Sequence, residues 1–184
     1  MEEIKYAYYD GGKDVVLIIT GIGGSTVGYK NKYDIMAKNI VQQTNCSVLI
    51  ATSPQGTWLH IKENLIQIIN KIIEIKQTEQ CNIYAFGHSA GANTLLLSAY
   101  LYPQIKSIVA VNPVMNINIS QLIDGIKNFN DKATIIFGEK DSSSKFACLI
   151  PQKENTKTIV LPNVDHYFTD NLELFISLPL NYLF

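Results

Sequence analysis

Ser89 stands in the run Gly87-His88-Ser89-Ala90-Gly91, a G-x-S-x-G pattern that can present a serine as a nucleophile. A serine hydroxyl attacks poorly unless a base lies beside it. Histidine is the first candidate, because its proton exchanges near neutral pH. The sequence offers three. His88 sits inside the pattern and is expected to point away from the reaction centre. His60 opens a helical stretch, on its surface or near a rim. His166 lies in Asn163-Val164-Asp165-His166-Tyr167-Phe168, after the last strand-like run, and is the expected base. The base in turn needs a carboxylate to fix its tautomer and stabilise its charged form. Asp141, in Gly138-Glu139-Lys140-Asp141, is the expected partner. Glu139, second in rank, is too near a strand end to curl over, and Asp165 adjoins the histidine and should point elsewhere. Plainer readings exist for each: a structural turn for Ser89, a polar loop residue for His166, a helix cap before Ser142-Ser143-Ser144 for Asp141.

The elements that must hold these residues follow from periodicity. Ile4 to Tyr9 alternates, Asp10-Gly11-Gly12-Lys13 turns, and Val15 to Thr20 is apolar throughout, which together read as an N-terminal β-hairpin. Further strands are expected at Ser47 to Ala51, Asn82 to Phe86, Ile105 to Val111, Ala133 to Phe137 and Thr158 to Leu161. Helical spacing is found over 31–43, over Trp58 to Lys76, over Ala92 to Tyr102 and around Ser120 to Phe129. A closing helix, Asp170 to Leu183, should break at Pro179. Alternation of strand and helix implies an α/β protein: a doubly wound, mostly parallel sheet with helices on both faces. Right-handed crossovers bring every strand-to-helix loop to one edge of such a sheet, where ligands bind. Ser89, Asp141 and His166 all fall in those loops. The strand behind Ser89 and the helix ahead of it explain its glycines, since neighbouring chains pass too close for larger side chains.

Composition narrows the partners. Lys and Arg number 15 against 16 Asp and Glu, a formal charge of -1, which gives a polyanion nothing to bind, so no nucleic acid is expected. The start Met1-Glu2-Glu3-Ile4-Lys5 does not read as a secretory leader, and the densest apolar run is strand-sized, so a cytoplasmic chain without membrane insertion is expected. Cys46, Cys81 and Cys148 are far apart and odd in number, which fits reduced thiols better than a disulfide or a metal site. No linker or repeat divides the chain, so 1–184 is read as a single domain. The loop Gly21-Ile22-Gly23-Gly24-Ser25 lacks the Lys-Ser/Thr ending of a phosphate loop. Gly23, Trp58, Met115 and Tyr167 are candidates to line a substrate pocket. Oligomeric state is left open.

The chain order Ser89, Asp141, His166, with Ser89 at a strand-to-helix elbow and a glycine loop after the first long strand, resembles the α/β-hydrolase superfamily. The likeness is to a small, lidless member and runs from Val15 nearly to the C-terminus. It implies that the backbone N–H groups of Ile22 and Ala90 form an oxyanion hole. Thr20 stands where many relatives carry histidine before that loop. The implied chemistry is two-step acyl transfer on a small substrate, carboxylesterase-like and without a cofactor. Thioesterase, lactonase, peptidase and acyltransferase variants share it. A protein of another class, keeping the fold to bind a ligand without turnover, is the alternative. Only Asn112 to Ile119 separates the fourth strand from the next helix, too little for a cap domain.

Overall fold

The computed structural model describes residues 3–54 and 61–184. Seven strands form one sheet: β1 (Tyr6–Tyr9), β2 (Asp14–Ile22), β3 (Cys46–Ser53), β4 (Ile83–His88), β5 (Ile105–Val111), β6 (Lys132–Gly138) and β7 (Thr156–Leu161). Their spatial order is β1-β3-β2-β4-β5-β6-β7, and every neighbouring pair is parallel except β1 with β3. Among the described residues, four α-helices connect strands, α1 (Lys32–Gln43), α2 (Ile61–Lys76), α3 (Ala90–Ser98) and α4 (Ile119–Asn128), and α5 (Leu172–Tyr182) follows β7.

The central strands are apolar in succession because both faces are covered. Val16 to Ile19 of β2 have almost no exposed surface, and every residue of β3 is buried. One core layer joins Leu65, Ile68 and Ile72 of α2 with Leu95 of α3, Leu122 and Ile126 of α4, and the sheet. The opposite layer joins Met36 and Ile40 of α1 with Phe175 and Leu178 of α5. Helix α3 runs beneath its neighbours and is buried almost all round, which its Ala, Gly and Leu content permits.

Two expectations need correction. The first two strands do not form a hairpin: β1 pairs antiparallel with β3, Tyr6 opposite Ala51. Both edges of β2 are already taken by the parallel strands β3 and β4. Residues 10–13 reach about 13 Å when extended, enough to step across β3, since strands two places apart lie roughly 10 Å away. Ser47 fixes that step: its hydroxyl accepts from the Gly11 N–H (3.0 Å) and donates to the Gly12 carbonyl (2.9 Å). Second, α5 does not break at Pro179 but runs through it to Tyr182. The lost backbone bond is offset by burial. Phe175 packs its ring 5.0–6.0 Å from those of Tyr33, Phe86, His88 and Phe168.

Candidate active site

The end of β4 turns into α3 within one residue. Ser89 is that residue, with φ 55° and ψ −115°, a region L-residues seldom occupy. Its N–H donates to the Val111 carbonyl (2.9 Å) and its carbonyl accepts from the Asn93 N–H (3.1 Å), so the strained backbone is held from both sides. The close approach of β4, β2 and α3 leaves no room for side chains at the flanking glycines. A Cβ on Gly87 would stand 2.5 Å from the Gly91 carbonyl carbon, and one on Gly91 would overlap the Ile19 carbonyl.

The structure brings Ser89, His166 and Asp141 together. His166 Nε2 lies 3.1 Å from Ser89 Oγ, and His166 Nδ1 bonds Asp141 Oδ2. The Asp141 side chain is 2% exposed and the His166 side chain 28%. Burial pushes the Asp141 carboxyl up, but hydrogen bonds from His166 and Ser143 outweigh it and leave it below its ordinary range. A carboxylate can only accept, so Nδ1 carries the proton and Nε2 is left free to accept from the serine hydroxyl. The second oxygen of Asp141, Oδ1, accepts from the Ser143 N–H (2.6 Å) in an Asx turn, while the N-cap of the 3-10 helix that follows, Ser144–Leu149, is Ser143 and not Asp141. The rival carboxylates are engaged elsewhere. Glu139 accepts from the Asn163 N–H (2.8 Å), and Asp165 accepts from the Tyr167 and Thr169 N–H groups (3.1 and 2.9 Å).

Two backbone segments border the serine. Ala90 is the first residue of α3, so its N–H has no acceptor within the helix. The loop after β2 lies against the elbow, for a Cβ on Gly21 would stand 3.4 Å from that of Ser89. Ile22 ends β2 on this loop and is 38% exposed. Thr20 anchors the loop where a histidine was absent from the sequence. Its hydroxyl donates to the Gly21 carbonyl (3.1 Å) and accepts from the Ser53 N–H (3.2 Å), while the Ser53 hydroxyl donates to the Thr20 carbonyl (2.7 Å). Ser53 was not foreseen as a site residue. Its signal was only its place at the end of the neighbouring strand.

His88 packs against Phe175 and touches the histidine loop rather than the serine hydroxyl. Its ring lies 5.3 Å from the His166 ring, and its Nε2–H donates to the His166 carbonyl (2.9 Å). Burial, with the Lys32 charge nearby, pushes His88 down to about 3, so it stays neutral. Lys32 itself is buried, its ammonium 4.1 Å from the centre of the Phe175 ring, and burial lowers it to about 8.

The pocket candidates divide. Gly23 borders a cleft of about 400 Å³ with Ser25, Thr26, Thr52 and Ser53, but Ser89, Asp141 and His166 are not among the residues that line it. Tyr167 is 70% exposed and meets the His166 ring edge-on at 5.0 Å. Met115 is a correction: it has no exposed surface and belongs to the core on the α3 side of the sheet, since its N–H is drawn in to the Ser143 hydroxyl (3.3 Å). Trp58 and His60 lie outside the described residues. Among the described residues, no group of three or more His, Cys, Asp or Glu is placed to hold a metal ion. None of the helices among them is long and apolar enough to cross a membrane.

No protein-family model matches this sequence, and no curated protein matches it significantly. Solved structures do. Est1E from Butyrivibrio proteoclasticus is 16% identical with a TM-score of 0.75, over 96% of this chain and 91% of that one. A dienelactone hydrolase from Anabaena variabilis is 17% identical with a TM-score of 0.72, over 98% and 93%. An alpha-beta serine hydrolase homologue from Coxiella burnetii is 16% identical with a TM-score of 0.71, over 97% and 89%. With one antiparallel strand at the edge of a parallel sheet, helices on both faces and these likenesses along nearly the whole length, the chain has the α/β-hydrolase fold.

Proposed function

We propose that the protein is a serine hydrolase that cleaves an ester or related acyl bond of a small substrate through a covalent acyl-Ser89 intermediate. The observation that carries this reading is the serine itself: a strained Ser89 whose Oγ lies 3.1 Å from an imidazole that is bonded in turn to a buried carboxylate. Ser89 Oγ attacks the carbonyl carbon while His166 Nε2 takes its proton. Asp141 holds the ring and stabilises the imidazolium that forms. The Ile22 and Ala90 N–H groups receive the developing oxyanion, a contribution of about 10²–10³ in rate for one such donor. His166 then passes the proton to the leaving group, and water repeats the sequence to release the acid.

Several structural neighbours carry esterase or hydrolase names, which supports hydrolysis; at 11–17% identity they do not choose the bond. Between β5 and α4 there are only residues 112–118, so no cap is inserted there, and the reading is a single uncapped domain on a small soluble substrate. The test is a panel of p-nitrophenyl esters of increasing acyl length, followed before and during steady state. A burst of p-nitrophenol matching the enzyme concentration, absent in Ser89→Ala and His166→Ala, is expected. Folded wild-type protein inert to every ester, thioester and activated amide in the panel would favour the ligand-binding alternative.

A further inference from the structure

Asn112 sits at the end of β5 and takes no part in the proton transfers described above, yet its side chain joins the loops that carry them. Its Nδ2 donates to the carbonyls of His166 (3.0 Å) and Asp165 (3.3 Å). Its Oδ1 accepts from the Gly138 N–H (2.7 Å). Gly138 closes β6, three residues before Asp141. The amide thus spends both donors on the histidine loop and its acceptor on the acid loop. The His166 carbonyl also takes the His88 Nε2–H, from the residue next to Ser89. One carbonyl is therefore tied to the acid loop by Asn112 and to the nucleophile's own turn by His88.

The environment makes those ties count. Asn112 has no exposed surface and His88 only 4%, so their bonds form out of water. Asn112 adopts φ 45°, and its own N–H donates to the Ile136 carbonyl (2.8 Å). A left-handed backbone at a fully buried position is a cost that asparagine tolerates better than most residues. The same loop is also fastened to the end of β6 by the Lys140 N–H, which donates to the Val164 carbonyl (2.9 Å), and by the buried Phe168, but Asn112 is the side chain that reaches the His166 carbonyl from β5. The loop follows β7, an edge strand paired only with β6, and it carries the exposed Tyr167, with Phe168 at φ 58°.

We propose that Asn112, seconded by His88, is the positioning residue that sets how His166 stands to both Asp141 and Ser89. The inference rests on the acyl-transfer reading above. It gives a role to the Asn112-Pro113 pair, which periodicity marks only as the end of a strand.

Asn112→Gly tests it, because glycine removes the amide while accepting the left-handed backbone. Asn112→Asp is the companion variant. It keeps the size and the Gly138 acceptor but sets an acceptor against two carbonyls. For both, kcat should fall about 10²-fold with KM little changed, the cost of a misplaced base. In Asn112→Gly, which adds no charge, the acid limb of the kcat/KM profile should move to lower pH, because an imidazolium less well held by Asp141 is easier to deprotonate. The low-field proton NMR resonance of the His166 Nδ1–H, read without substrate, should broaden or vanish. His88→Gln, which can keep a donor near the His166 carbonyl, should retain more of kcat and of the resonance than His88→Ala.

A lower Tm with kcat per folded molecule, acid limb and resonance all unchanged would show a merely structural role and overturn the proposal. The limb and the resonance report on whatever protein folds, so a poor yield does not blunt the test. The resonance also separates two failures. Wild type that hydrolyses no acyl substrate sinks the acyl-transfer reading, and the tie then stands or falls on the resonance alone. Active wild type with an unaltered Asn112→Gly variant sinks the tie and spares the reading.

Discussion

Replacing Ser89 by glycine should stabilise the protein relative to replacing it by alanine, the reverse of what glycine does in ordinary helix or strand. Ser89 holds φ 55° and ψ −115°. A non-glycine residue in so sparsely populated a region costs about 1–3 kcal/mol. Alanine keeps that strain, whereas glycine releases it. Glycine also gains freedom in the unfolded chain, which takes back about 0.4–1 kcal/mol. Both variants lose the same hydrogen bond to His166, about 0.5–1.5 kcal/mol, so it cancels from the comparison. The difference left is about 1 kcal/mol in favour of glycine. In a helix or strand interior glycine is instead worse than alanine by about 0.5–1 kcal/mol. The assay is urea unfolding of both variants at pH 7.5, comparing midpoints at equal m. For a chain of 184 residues the gap corresponds to roughly 2–4 °C in Tm. Glycine equal to or less stable than alanine would refute the reasoning that the elbow stores strain at its nucleophile.

Other expectations follow from the packing and bonding around this turn. Thr20→Val keeps shape but strands the Ser53 N–H, so urea unfolding should show a loss of about 1–3 kcal/mol. Slackening of the Gly21-Ile22 loop should lower kcat/KM about tenfold in ester kinetics. His88 is held neutral down to about 3, below its ordinary 6.5, so the folded state binds fewer protons than the unfolded one between those values. Its contribution is therefore intact above about pH 6.5 and lost as pH falls toward 3, by up to about 1.4 kcal/mol per pH unit. His88→Gln should flatten the pH dependence of urea midpoints between pH 4 and 6, and an unchanged slope would contradict it. Gly125→Ala should cost about 1–3 kcal/mol, because the new Cβ would run into the Leu96 carbonyl where α4 crosses α3; circular dichroism melts would show it.

Local pattern carried much of this architecture. Val15 to Thr20 and Ser47 to Ala51 are apolar without interruption because they are covered on both faces, and each lies inside an observed strand. Gly87 and Gly91 bracket a turn so tight that their spacing shows in the sequence. Asp141 and His166 could be placed because parallel strands send all their following loops to one edge. Pairing partners were harder to read. The turn at 10–13 looks like a hairpin turn, since nothing local says that β4 already occupies the second edge of β2. Pro179 looks like a helix stop because the aromatic packing of Phe175 that outweighs it comes from three distant places: α1, β4 and the loop that holds Phe168. The burial of Met115, whose backbone N–H donates to the Ser143 hydroxyl, and the bond from His88 to the His166 carbonyl both depend on partners far along the chain. The ties made by Asn112 and Ser53 have the same long-range character and no short motif.

The central claim is that Ser89 is a nucleophile activated by His166. Its most direct test is labelling of the folded protein with a fluorophosphonate, read by intact mass and by mapping of the modified peptide. The account predicts one adduct per chain, on the peptide containing Ser89, formed at a rate that falls sharply in His166→Ala and more modestly in Asp141→Asn. No adduct at Ser89 in folded wild-type protein, or labelling as fast without His166 as with it, would contradict it.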